Sequence, residues 1–217
     1  VLLLAFDTAT PAITVALHDG VRVLAESTEV DARRHGELLL PAVDRVLATA
    51  GARIGDVTDL VVGVGPGPYT GLRVGLVTAA ALGDALGVPT HGVCTLDGIA
   101  AASGLDGPFV VATDARRKEV YWARYQDPFT REGEPAVDRP AEVAARVAGL
   151  PAVGAGALLY PEAFPGAAGP EHVSAAALAS LAAARLAGGV PLLPPRPLYL
   201  RRPDAQVPAG YKAVLPT

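Results

Sequence analysis

An α/β protein of two related lobes is what the sequence predicts, and three observations predict it. The chain opens on a short apolar run that ends in Asp7 and a turn of small residues. The same pattern, apolar strand, Asp, polar turn, strand, returns 107 residues later at Asp114. The second copy then loses regular patterning soon after its hairpin, so the second lobe is expected to be the smaller one.

Each element follows in order. Residues 1–6 are a continuous apolar run of strand length, and residues 12–17 form a second strand interrupted by Thr14. Asp19-Gly20 marks a hairpin into a third strand over 21–29. A helix over 35–49 carries Pro41 early and stops at Gly51. Residues 60–65 make a fourth strand, followed by the loop GPGPYT and a long apolar helix starting at Thr70, its expected N-cap. A short strand over 88–93 leads to a helix over 96–103.

In the segment GPFVVATDARRKEVYWARYQD, Asp114 aligns with Asp7, and a gapless register sets Ile13 on Val120 and Val15 on Trp122. Beyond it, 135–149 reads as one helix, 150–156 as a short strand, 160–172 as loop and 174–186 as an alanine-rich helix capped by Ser174. Duplicated β-β-β-α-β-α units, each ribonuclease H-like, build the two-lobed fold of actin and the sugar kinases, in which Asp turns face nucleotide phosphates across a cleft. The expected division is a first lobe over 1–103, completed by 190–204, a reduced second lobe over 104–189, and a mobile tail over 205–217.

With 217 residues, 51% of them hydrophobic, the chain can bury a sizeable core. A net charge of −4 argues against a protein that grips nucleic acid unaided. Cys94 is the single cysteine, so no internal disulfide forms, and the opening reads as a strand and not a secretory leader. A cytoplasmic protein is expected.

Candidate chemistry is sparse. Asp7, Thr8 and Thr10 beside Gly65, Gly67 and Thr70 have the outline of a phosphate site: an Asp turn next to a glycine-rich loop at a helix start. The loop lacks the Lys of a working phosphate loop, and Pro66 and Pro68 remove two donors. The competing reading is that Asp7 and Thr8 cap their own turn. Among the four histidines no pair is spaced three to five apart, so no metal site is expected; His91, Cys94 and Asp97 have ligand-like spacing but read as a solvated His and a buried Cys. No nucleophile motif marks Cys94 or any serine. The helix from Thr70 has small residues at 71, 75, 79 and 83 and no charge over 74–83, and the helix before it is also broadly apolar. Two such helices predict a protein interface, unless each merely covers the other within the lobe.

The segments LLLAFDTAT, RRHGELLLPAVDRVL, VVGVGPGPYTGLRVG, HGVCTLDGIA, ATDARRKEVYWARY and PLYLRRPDA together resemble the TsaB family of bacterial tRNA-modification proteins. The resemblance spans almost the whole chain. It implies a catalytically silent relative of TsaD, the metal-bearing enzyme that moves threonylcarbamoyl from its adenylate to an adenosine beside the anticodon of tRNAs reading codons that begin with A. It implies no cofactor, a TsaD partner bound through the first lobe, the TsaE ATPase as third member, and tRNA met only through the complex. Leu38, Leu39, Ala42, Val43, Val46, Leu47, Leu72, Arg73, Gly75, Leu76, Ala79 and Ala80 are the expected interface, which in isolation would serve a homodimer. Arg33, Arg34, Arg116, Arg117, Arg201 and Arg202 are the cations that could reach tRNA. The other readings are an active kinase or ATPase of the actin-like fold and, less favoured, a peptidase.

Overall fold

The computed structural model of the protein describes residues 1–201. The tail expected over 205–217 and Arg202 lie outside the described residues. The first sheet has the strand order β3-β2-β1-β4-β5, with β1 (Leu3–Asp7), β2 (Ala12–His18), β3 (Val23–Val30), β4 (Asp59–Gly63) and β5 (Thr90–Val93). β1, β2 and β3 run antiparallel, and β1, β4 and β5 run parallel. That order is the ribonuclease H-like arrangement expected from sequence. β1 is buried on both faces, which is why it reads as an unbroken apolar run. Leu4 and Phe6 face one core with α1 (His35–Ala50) and α2 (Tyr69–Leu86). Leu3 and Ala5 face a second core with α3 (Thr95–Ala101) and α6 (Ala175–Ala187).

α1 runs unbroken through Pro41 and ends where Gly51 takes the left-handed conformation, φ 67°. α2 starts one residue earlier than expected. Pro68 is its N-cap without a side-chain bond, so Thr70 is an exposed first-turn residue and not the cap.

The second sheet repeats the first with one strand fewer, in the order β8-β7-β6-β9. β6 (Phe109–Asp114) and β7 (Val120–Asp127) form the predicted hairpin, but the gapless alignment with the first copy slips by one. Asp7 lies opposite Thr14, whereas Asp114 lies opposite Val120, so Thr14 and not Ile13 is the counterpart of Val120. The second turn is shorter because Arg116, Arg117 and Lys118 reverse the chain with three successive left-handed residues.

β8 (Thr130–Asp138) is a strand the sequence did not suggest; Gly133 and Pro135 read as breakers, yet both are tolerated because β8 is an edge strand with register shifts against β7. The helix expected over 135–149 is therefore short, α4 (Pro140–Arg146) opening on proline. β9 (Ala152–Val153) and α5 (Ala155–Leu159) follow. α4 and α5 cover the outer face of the second sheet.

α6 is capped by Ser174, whose hydroxyl accepts the Ala177 N–H at 3.2 Å, and packs on β1 and β2 of the first sheet. Thr14 Oγ1 accepts the Ala175 N–H at 3.0 Å, tying the helix start to β2. The chain then returns along β5. Gly92 and Leu193 exchange backbone bonds of 2.7 and 3.1 Å, and the Leu198 N–H reaches the Val64 carbonyl at 2.8 Å.

The glycines of α2 explain how it lies on the sheet. A Cβ at Gly71 would sit 2.4 Å from the Thr8 carbonyl oxygen, and one at Gly75 would sit 2.7 Å from Thr8 Oγ1. Gly36 in α1 has nothing within 4 Å of such a Cβ. Gly75→Ala is expected to destabilise the fold by about 1–3 kcal/mol through overpacking, and Gly36→Ala to stabilise it by about 0.5–1 kcal/mol. Urea denaturation of both variants checks the opposite signs; a neutral Gly75→Ala would contradict the close approach.

Candidate functional site

The phosphate-site residues converge as the sequence suggests, but on each other. Asp7 is completely buried at the end of β1. Its Oδ1 accepts the Ala9 N–H at 2.6 Å and its Oδ2 accepts the Thr95 hydroxyl at 2.6 Å. Thr95 in turn accepts the Gly65 N–H at 3.1 Å and gives its own N–H to the Gly65 carbonyl at 2.8 Å. Gly67 is pressed on the first turn, where a Cβ would lie 2.1 Å from the Ala9 carbonyl oxygen.

Thr8 donates its hydroxyl proton to the Gly71 carbonyl at 2.7 Å and accepts the Gly75 N–H at 2.9 Å, the two groups a regular helix would pair with each other. Thr10 accepts the Ala12 N–H at 3.2 Å, and its carbonyl meets His35 Nε2 at 2.8 Å. The expected alternative, an Asp and a Thr serving their own turn, describes these contacts and extends them to α2, α3 and the loop. Burial raises the Asp7 carboxyl to about 6 against the opposing pull of the Thr95 hydroxyl and Ala9 N–H.

The two Asp turns do face each other. Ala9, Thr10 and Pro11 from the first and Thr113, Asp114 and Arg116 from the second line a cleft of roughly 210 Å³. That is smaller than the roughly 300–1,000 Å³ of ordinary ligand sites. Asp114 is engaged as well: Oδ1 accepts the Arg116 N–H at 2.8 Å and Oδ2 lies 3.3 Å from the Arg116 guanidinium. Among the described residues no group of three His, Cys, Asp or Glu side chains comes together to hold a metal. His91 turns to Asp59 at 3.1 Å instead of toward Cys94 and Asp97. Cys94 is buried, and burial pushes its thiol up to about 12, which leaves it without thiolate character. Asp97 accepts from Tyr125 at 2.8 Å and Arg131 at 2.7 Å.

The α1–α2 face divides the expected interface. Leu39, Ala42, Val43, Val46, Leu47, Leu72, Gly75 and Ala79 are buried within the chain, so they cannot touch a partner. They pack beneath the helices because each helix needs one apolar side for its own sheet, and the glycine stripe of α2 serves that side. Leu38 and Leu76 are half-buried, and Arg73 and Ala80 are exposed.

What the stripe reasoning missed lies on the outer side. Val77 is 67% exposed, Leu40 is 51% exposed, and both line a groove between the helices with Gly36, Tyr69 and Arg73. The absence of charge between 74 and 83 was the signal for it. Of the other cations, Arg33 is exposed, Arg34 pairs with Asp31 at 2.8 Å, and Arg201 pairs with Glu119.

Asp7→Asn tests the buried carboxyl. Its folded-state value lies above the unfolded one, so its contribution is full below pH 4 and is lost as pH rises through 6. The stability of Asp7→Asn relative to the parent is therefore expected to rise by about 2 kcal/mol between pH 4 and 7. Chemical denaturation across that range reads it; parallel profiles would mean that Asp7 is not held in a desolvated site.

Among the described residues no helix is long and apolar enough to cross a membrane. A family model described as TsaD, tRNA N6-adenosine threonylcarbamoyltransferase, matches residues 22–186. A Mycobacterium tuberculosis protein described as uncharacterized is 48% identical over 94% of this chain and 93% of its own. The Escherichia coli tRNA threonylcarbamoyladenosine biosynthesis protein TsaB is 39% identical, but the match covers 57% of this chain and 54% of that protein, about half of each. A crystal structure of a Pseudomonas aeruginosa protein, described by its similarity to the peptidase YeaZ, superposes with a TM-score of 0.80 at 33% identity, over 92% of this chain and 99% of that one. With motifs, topology and relatives in agreement, the chain belongs to the TsaD family, in its TsaB branch.

Proposed function

We propose that this protein is a noncatalytic partner of TsaD in the synthesis of threonylcarbamoyladenosine on tRNA. It docks on TsaD through the outer side of α1 and α2 and supports threonylcarbamoyl transfer without performing it. The observation that carries this reading is the exposed apolar pair Leu40 and Val77 on neighbouring helices. Burying what remains exposed of each at an interface is worth about 1–2 kcal/mol. The rest of the outer side is small or apolar, with Pro41, Ala80 and Ala81 exposed beside them.

A paralogue with the same lobe would bring the same helix pair, and two such pairs stack as a helical bundle. The self-complementary version of that contact is a homodimer, which the chain would form when alone. The reading assigns docking to the lobe over 1–103 and its completing segment, with TsaE joining the pair. It also accounts for the spent phosphate site, since Asp7, Thr8 and Gly65 have their hydrogen-bonding groups committed to the fold.

Size-exclusion chromatography with light scattering on the chain mixed with the TsaD of its own organism tests it. Val77→Glu is the informative variant, because an exposed position leaves stability within about 0.5 kcal/mol. Leu76→Glu, which the sequence would suggest, alters a half-buried side chain. The parent is expected to form a 1:1 complex and Val77→Glu to weaken it at least about thirtyfold, about 2 kcal/mol. No complex with the parent, or equal binding by a folded Val77→Glu, would overturn the docking surface.

A further inference from the structure

The glycine side of α2 meets the sheet, and the opposite side carries a pattern of its own. Arg73, Val77, Ala80 and Asp84 are all exposed. With 3.6 residues per turn, the four fall within about 60° of one line along the helix. Their order is a cation, two uncharged side chains and an anion. Their spacings are four, three and four, so the positions repeat when the helix is read from its other end. Only the charges change places in that reversal.

Neither charge is answered within the chain. Among the described residues no carboxylate pairs with Arg73, and the Asp84 carboxylate is in no ion pair or side-chain hydrogen bond. Arg73 is positioned instead by aromatic rings. Its Nε donates to the Tyr199 hydroxyl at 3.0 Å, and its guanidinium lies 5.0 Å from the Tyr69 ring centre and 6.0 Å from that of Tyr199. The two rings are stacked, with centroids 4.4 Å apart. They hold a planar cation in place while its Nη donors remain for a carboxylate. Both charges also lie toward the wrong ends of their own helix. α2 runs from Tyr69 to Leu86, so Asp84 sits in the last turn, where carbonyls repel an anion, and Arg73 lies near the N-terminus, where a cation is disfavoured. That placement costs the isolated helix, and opposite charges arriving across an interface offset it.

We propose that this stripe pairs with the same stripe of a second copy, the two α2 helices antiparallel, with Arg73 of each on Asp84 of the other. The palindromic spacing then sets Val77 of each on Ala80 of the other. Parallel copies would set Arg73 on Arg73, so the charges select the antiparallel arrangement. One two-fold axis, passing between positions 78 and 79, generates all four contacts. Val77 is 67% exposed and needs a shallow seat, which the small Ala80 side chain provides. The homodimer thereby has a defined direction and register. Its consequence for regulation rests on the docking reading above: Arg73 and Val77 serve both contacts, so a second copy and TsaD exclude each other, and the concentration of the chain sets how much of the face is open.

Sedimentation equilibrium of the chain alone, in a dilution series at low and high salt, tests the pairing. The parent is expected to dimerise, and more weakly at high salt. Asp84→Arg sets Arg on Arg twice per dimer, and Arg73→Glu sets Glu on Asp twice. Each is expected to weaken the dimer at least about tenfold. Asp84→Arg is the cleaner of the two, because Arg73→Glu also removes the bond to Tyr199. The double variant, Arg73→Glu with Asp84→Arg, exchanges the charges in every chain and restores both pairs. It should dimerise within about threefold of the parent, a rescue that damage to the fold would not produce. A parent that stays monomeric up to about 1 mM, single variants that dimerise as the parent does, or a folded double variant no tighter than the singles would overturn the proposal. Adding the TsaD of the same organism separates the two readings. A dimer that obeys the charge exchange without any TsaD complex supports the pairing and removes the docking; a TsaD complex formed by a chain that is monomeric alone does the reverse.

Discussion

The structure depends on one side chain placed inside a helix. Thr8, at the start of the β1–β2 turn, inserts its hydroxyl between the Gly71 carbonyl and the Gly75 N–H of α2. That bridge is reachable only because neither glycine has a Cβ, and it draws the helix onto the β1–β2 turn more closely than side-chain packing would allow. Further along, Gly83 meets Thr90 with the same closeness, a Cβ there falling 2.5 Å from the threonine hydroxyl. With α2 pinned at both ends along its glycine side, its rotation about its own axis is set. Val77, Arg73 and Ala80 then face outward by necessity, and the groove beside α1 follows from the same constraint.

The Asp7 network ties the β1–β2 turn to α3 and to the loop before α2. Ala9 and Thr95 each donate to one of the Asp7 oxygens, and Gly63 is required beside them because a Cβ would fall 1.7 Å from Oδ2. Burial raises the carboxyl, and the Thr95 hydroxyl, the Ala9 N–H and His35 all pull the other way. His35, fixed on the Thr10 carbonyl at the first turn of α1, ties the same turn to that helix. The β1–β2 turn therefore holds both α1 and α2 in place.

How much of this the sequence shows depends on the range of the interaction. Both sheets' hairpins and the helix ends at Gly51 and Ser174 were legible because alternation, Asp-Gly and capping residues act within a few positions. β8 was hidden by Gly133 and Pro135, whose breaker character is overridden on a bulged edge strand. The one-residue slip between the two copies was hidden because three consecutive left-handed residues with side chains have no local signature. The apolar character of α1 and α2 is plain in the sequence, but it does not say which side faces the sheet, so the expected interface mixes buried and exposed positions. The spacing 71, 75, 79 and 83 identifies a close approach without naming the surface approached, and here that surface is Thr8, Val62 and Thr90 of the same lobe. Asp7 could be read either as a ligand group or as its own turn's cap. Its contact with Thr95, 88 residues away, has no signal in the sequence around it.

Net charge is the coarsest of these signals, and here it averages over two different surfaces. A value of −4 sums an acidic remainder and a basic face assembled from three distant segments, around positions 73, 116–118 and 201. No window along the sequence contains that face, because Arg201 reaches Arg116 only after the chain has run back along β5 through Leu193 and Leu198. The returning segment bonds to the sheet edge, stacks on α2 through Tyr199 and braces the basic turn through Arg201. A single stretch of twelve residues, 190–201, therefore holds α2 and the β6–β7 turn in fixed relation.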